Sequence, residues 1–210
     1  MQRATWLTER LQDALHATEF RHIPQRNQFR RITTDGFQNI IYSITNYDDL
    51  SVADIFIGVR HEAVEQLVQP FVQGVRGFTA DNNTIVTSIR NYSKAEQTRF
   101  KIRSPKDADV VIEQSVIFLN EVGFRLLDQL DQITTLNEVL NDISHKKLKW
   151  SLNPFNRAIR AIAAAKLAFN PNFDLLLQYY LDDLEQRHTI PQHLSKYKQL
   201  AAFLQTYSVN

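Results

Sequence analysis

The stretch DIFIGVRHEAVEQL, residues 54–67, crowds Asp54, Arg60, His61, Glu62 and Glu65 around the point where an apolar strand pattern turns into a helical one. Enzymes built from strands and helices often gather an acid, a base and a cation at such a junction. HEAVE also lies one residue from the helix of zinc proteases. That helix needs histidines at i and i+4 so that two imidazoles face one metal. Four residues after His61 stands Glu65, and a carboxylate there breaks the pair. Glu62 and Glu65 instead fall in the first helical turn, where the positive end of the helix dipole favours an acid by about 0.3–1 kcal/mol each. The pattern predicts a well-started helix, with His61 closing the strand as a core or cap histidine. No catalytic residue, metal ligand or cofactor is assigned.

Three other groups have the right residue types for chemistry or binding. Glu185-x-x-His188 is half of a carboxylate-bridged di-iron pattern, but a bundle of that kind needs two such motifs and two further glutamates, and Arg187 beside it opposes a cation. It reads as a polar helix C-terminus with His188 at the negative dipole end. In QTRFKIRS, Arg99, Lys101 and Arg103 share one strand face, opposite Thr98, Phe100 and Ile102, and Arg90 lies on the neighbouring strand. A basic sheet face of this kind suits phosphates or an acidic partner, although the exposed half of an antiparallel sheet commonly carries arginine as an amphipathic cover. SHKKLKW joins three lysines to Trp150, which serves either as a partner contact or as an anchor for a linker. Phosphate-binding glycine loops, the dinucleotide fingerprint, the nucleophile elbow and the zinc-deaminase signature are all missing from the sequence.

The elements that must position these residues follow from periodicity. Leu7, Leu11, Ala14 and Leu15 mark one face of an N-terminal helix over residues 5–16. The period then changes to two in FRHIP, NQFRRIT, GFQNIIYSITNY and VADIFIGVRH, which read as four strands, with turns at Asp35-Gly36 and NYDDLS. In the fourth strand Ala53, Ile55, Ile57 and Val59 share a face, and Asp54, Phe56, Gly58 and Arg60 share the other. The helix carrying Val64, Leu67, Val68 and Phe71 follows, then two strands, TIVTSIRNY and QTRFKIRS. From Ser104 onward the pattern is helical, and all five glycines lie at or before Gly123. Ser104-Pro105-Lys106-Asp107, Asn153-Pro154, Asn170-Pro171 and Pro191 are start signals, and Thr135-x-x-Glu138 has the form of a capping box. Helices are expected over 105–131, 135–145, 154–169, 171–187 and 191–207. The third and fourth helices of this region open alike with Asn-Pro, and Ala158, Ala161, Ala163, Ala164 and Ala165 suit close helix packing.

The predicted fold class is therefore α+β. A mostly antiparallel sheet of about six strands is flanked by helices and extended by a C-terminal all-helical region. Residues 1–132 are expected to form the sheet domain, including the long helix after the last strand, and 133–210 a helical extension packed on it.

The N-terminal helix, then EFRHIPQRNQFRRITTDGFQNIIYSITNY and VADIFIGVRHEAVEQL, and later FLNEVGFRLLDQLDQITTLNEVLNDIS, resembles the bacterial domain-of-unknown-function family 4304 over residues 7–187. The likeness lies in the hydrophobic pattern and in no invariant polar motif. Glu19 stands where a glycine is usual, and SITNY replaces a longer third-strand N-x-Q. The resemblance implies no established activity. It does imply a protein partner, because some members are regarded as immunity-like partners of toxins.

Bulk properties narrow the remaining classes. The formal charge is +1, from 24 basic and 23 acidic side chains, which provides no global field toward nucleic acid or anionic lipid. No cysteine is present, so disulfides, thiolate nucleophiles and cysteine-held metals are excluded, and a reducing compartment fits. The charged start MQRATWLTER reads as no signal peptide, and no apolar run reaches the length of a membrane span. The sequence points to a cytoplasmic bacterial protein that binds another protein without being an enzyme, with a homo-oligomer as a further option and no membrane partner. Its surface residues are Arg90, Arg99, Lys101, Arg103 and Trp150. The competing classes are a hydrolase or nuclease using His61, Glu62 and Asp54 in a cleft between sheet and helices, and an anion or nucleic-acid binder using the basic sheet face. A regular strand places Asp54 opposite His61, which weighs against the hydrolase.

Overall fold

The computed structural model describes residues 2–72, 81–92, 99–143 and 153–209. The chain runs through helix α1 (Gln2–Leu15) and strands β1 (Arg21–Ile23), β2 (Gln28–Ile32), β3 (Gly36–Asn46) and β4 (Ser51–His61). Helix α2 (Glu62–Val72) and strands β5 (Ile85–Ser88) and β6 (Phe100–Ile102) follow. The remainder is helical: α3 (Pro105–Phe118), α4 (Phe124–Leu130), α5 (Ile133–Leu140), α6 (Pro154–Leu167), α7 (Phe173–Gln186) and α8 (Pro191–Thr206). The sheet is antiparallel with six strands in the order β1-β2-β3-β4-β5, and β6 also pairs with β4. The class is α+β, as the periodicity predicts.

The period of two explains the register. Phe29 of β2 stands opposite Ile40 of β3, and both are buried. On the alternate face Arg30 stands opposite Asn39 and donates to its Oδ1 at 3.2 Å. Turns close where the sequence signals them: Thr33 N–H donates to Gly36 O at 3.1 Å and Tyr47 N–H to Leu50 O at 2.8 Å. In β4 the predicted apolar face of Ala53, Ile55, Ile57 and Val59 is wholly buried. Its other face is not a solvated one, since Asp54 and Arg60 are only 6% and 3% exposed. Burying them requires partners.

Contacts divide the chain into two compact units: Met1–Val59 with Val86–Asp128, and Arg60–Ile85 with Gln129–Asn210. In the first, α1 packs on α3, their buried residues being Leu7, Leu11 and Leu15 on one and Ala108, Val111 and Ile112 on the other. Helix α3 continues through a π turn, Leu119–Gly123, into α4. A Cβ at Gly123 would meet the Leu119 side chain at 3.0 Å and the Phe118 ring at 3.1 Å, so a larger residue would need both to shift. In the second unit α6 packs against α2, α5, α7 and α8. Its residues from Ala158 to Ala165 are all buried, as expected of a helix covered all round.

Several boundaries differ from the sequence expectation. The strand expected over TIVTSIRNY stops at Ser88 and a 3₁₀ turn, Ile89–Tyr92, replaces its end. The Ser88 hydroxyl accepts the Arg90 N–H at 3.3 Å and so offers the backbone an alternative to the ladder. Thr135 caps nothing, because α5 begins at Ile133 with Gln132 at the cap position, and Leu136 N–H already donates to Gln132 O. Asn170-Pro171 also does not start a helix. Asn170 Oδ1 accepts from Asn172 N–H at 2.9 Å in a turn, and α7 starts at Phe173. The starts at Ser104, with its full capping box, and at Asn153 stand as predicted.

Helices α6 and α7 end alike in a stretch without glycine. Phe169 and His188 take left-handed φ values of 52° and 50°. Phe169 N–H donates to Lys166 O and Asn170 N–H to Ala165 O, while His188 N–H donates to Glu185 O and Thr189 N–H to Leu184 O. This is the Schellman pattern, in which glycine usually holds the left-handed position. Among the described residues no helix is long and apolar enough to cross a membrane.

Candidate functional site

The junction of β4 and α2 is the most charged part of the second unit's interior. Four residues there, Arg60, His61, Glu65 and Thr84, are buried, and a fifth, Arg160 of α6, is 1% exposed. Arg160 forks onto Glu65, its Nε donating to Oε1 at 2.7 Å and its Nη2 to Oε2 at 3.0 Å. The Thr84 hydroxyl donates to the same Oε1 at 2.8 Å and accepts the His61 N–H at 3.0 Å. Arg60 lies 3.8 Å from Glu65 Oε2, donates through Nε to Glu62 at 2.7 Å, and reaches the Asn82 carbonyl at 3.1 Å. The Arg60 hydrogen bond holds the Glu62 carboxyl below the ordinary carboxylate range.

Local sequence explains why these groups meet. The strand pattern turns Arg60 off the apolar face, and the first turn of α2 raises Glu62 and Glu65 beside it. Thr84 enters at the start of β5. The chemistry of the arrangement is that of a structural clamp. Three hydrogen bonds converge on Glu65, so it stands as an acceptor for buried cations, not as a base facing a substrate. A planar guanidinium binding a carboxylate through two parallel bonds is the strongest geometry available to such a pair.

A second clamp lies in the first unit. Arg90 donates to Asp54 Oδ1 at 3.0 Å and to Oδ2 at 2.6 Å, and Ser88 Oγ donates to Oδ1 at 2.8 Å. Arg90 is thereby spent on a buried carboxylate, whereas the sequence had grouped it with the exposed cations. Asp54, a candidate in the hydrolase reading, is fixed in this pair, and Glu62 is fixed by Arg60. Among the described residues no three His, Asp or Glu side chains gather to hold a metal ion.

The other sequence-selected cations are placed differently. Lys101 on β6 is exposed, with Arg99 and Arg103 exposed immediately before and after the strand, while Ile102 between them is buried. Lys101 pairs in register with Val52 of β4. Among the described residues no strand takes the other edge of β6, and neither Arg99 nor Lys101 has a carboxylate partner. Arg103 gives its backbone N–H to Asp107 Oδ2 at 2.8 Å. Trp150 lies outside the described residues. Glu185 pairs with Lys198 at 3.0 Å, and His188 sits past the end of α7, so the two do not form a ligand pair.

No family model, curated protein or solved structure matches the chain.

Function must therefore be read from these side chains alone. The residue that sequence reasoning missed is Arg160. Its signal was a charge set inside NRAIRAIAAAK, an otherwise apolar and small run. A long cation at such a position needs a buried anion, but nothing local says which one.

Proposed function

We propose that the chain is a non-enzymatic binding protein of the bacterial cytosol, immunity-like in role, which seats an acidic protein partner on Arg99, Lys101 and Arg103. The observation supporting this reading is a division among the cations. Arg60, Arg90 and Arg160 are buried or half-buried and engaged by carboxylates, whereas Lys101 on β6 and Arg99 and Arg103 flanking it are exposed, and among the described residues β6 pairs with β4 alone. Exposed charges of one sign speed encounter with an opposite surface and select against wrong partners. The pattern resemblance to family 4304 points the same way. Lysine on a sheet edge also discourages strand addition, so the bland role and the binding role predict different effects of charge reversal.

The deciding experiment compares wild type with an Arg99→Glu/Arg103→Glu variant in co-purification with the protein encoded beside this chain. The expected outcome is capture by wild type that falls at least tenfold in the variant, with the thermal midpoint unchanged. Equal capture by both eliminates this surface. Retention on heparin that drops steeply with salt, with no protein captured, would transfer the strip to nucleic-acid binding.

A further inference from the structure

At the C-terminal end of α6 an open groove of about 390 Å³ is lined by Ala165, Lys166, Phe169, Phe173, Tyr207 and Val209, among others. Three aromatic rings and an aliphatic floor make it predominantly apolar, and its size suits a small organic ligand. Two further features set it apart from an ordinary surface dent.

The first is Phe169. It holds a left-handed backbone at φ 52° while the residue is 74% exposed. For a bulky residue this conformation costs roughly 1–2 kcal/mol, and glycine would relieve it. Burial of the ring within the unit does not repay that cost. Strain kept at an exposed position is a recurrent sign of function. His188 shares the backbone conformation but is not among the residues lining this groove, so the motif alone does not create the site. The second feature is Lys166. Its ammonium stands 5.2 Å from the centroid of the Phe173 ring, at the groove wall, and among the described residues it has no ion-pair partner. It is the only formally charged side chain among the lining residues.

We propose that this groove binds a small aromatic carboxylate, the ring lying against Phe169 and Phe173 and the carboxylate meeting the Lys166 ammonium. A neutral ligand of the same shape would leave Lys166 unused, and an aliphatic anion would leave the rings unused. The inference concerns the second unit and is independent of the cationic strip at β6.

The test titrates the full chain with 3-phenylpropionate and with its neutral counterpart 3-phenylpropan-1-ol, at low salt, following ¹⁵N-labelled amides. The acid is expected to bind at least tenfold more tightly and to shift the amides of residues 165–173. Lys166→Gln should abolish the preference for the acid without changing the thermal midpoint. Phe169→Gly should weaken the acid at least fivefold while raising the midpoint, because strain is released as the ring is lost. The proposal is overturned if acid and alcohol bind alike, if neither binds at millimolar concentration, or if Lys166→Gln keeps the preference.

Discussion

At the Arg160–Glu65 pair, each partner excuses the burial of the other. Taking away Arg160 leaves the buried Glu65 carboxylate to the Thr84 hydroxyl and the more distant Arg60, and breaking a buried pair in this way typically costs about 3–5 kcal/mol. Arg160→Met is expected to lower stability by that amount in urea denaturation. Arg160→Met combined with Glu65→Leu should recover most of the loss, because no unpaired ion remains. Lys101→Met, on an exposed position, should move stability by less than about 0.5 kcal/mol. An Arg160→Met chain as stable as wild type would show that the pair is not closed in solution. Half of this was legible from sequence. Glu65 belongs to a visible helix start, and Arg160 is a visible intruder in an apolar run, but their meeting across 95 residues is not a local property. Arg90 illustrates the same gap: its pairing with Asp54, 36 residues away, depends on β5 lying beside β4.

Among the elements, α3 has the most complete local start. Ser104 accepts from Asp107 N–H, and the Asp107 carboxylate accepts from the backbone of Arg103 and Ser104. Those backbone hydrogen bonds hold Asp107 below its ordinary value of 3.8. A depressed carboxylate stabilises the fold above its unfolded pKa, and the contribution vanishes as pH falls through the folded value. Stability should therefore exceed that of Asp107→Asn near neutrality, and the two should converge as pH falls below the ordinary 3.8 and through the lowered folded value. Ser104→Ala should cost about 1 kcal/mol at pH 7. Urea midpoints across a pH series check both statements, and an Asp107→Asn deficit that persists at the acid end would refute the assignment. This cap was readable because all its parts lie within four residues. The box written at Thr135 was equally readable and does not form, since burial of Leu136 and Leu140 starts α5 two residues earlier. Periodicity located the α-helices; local caps chose the first residue of α3 and α6, and tertiary packing chose that of α5.

Over the whole chain, the second unit is discontinuous, because α2 joins α6 and α8 from far upstream. Val64, Leu67, Val68 and Val72 are its buried apolar residues, each worth about 1.5–3 kcal/mol on burial. Together they match a large part of the 5–15 kcal/mol that holds a typical domain. A fragment of residues 129–210 should retain some helix but lose cooperative unfolding in circular dichroism, and a peptide of residues 60–72 added in excess should restore part of the transition. A fragment that melts with the full chain's cooperativity would contradict the role given to α2.

The same discontinuity sets a timetable for the ribosome. Glu65 is polymerised 95 residues before Arg160, which at about 5–20 residues per second is a delay of roughly 5–20 s. For the later part of that interval the sticky side of α2 has emerged from the exit tunnel with its permanent covering still untranslated. A nascent-chain holdase such as a ribosome-docked chaperone would find its best target there, and synonymous codons that slow translation between these two residues should lower the yield of folded protein.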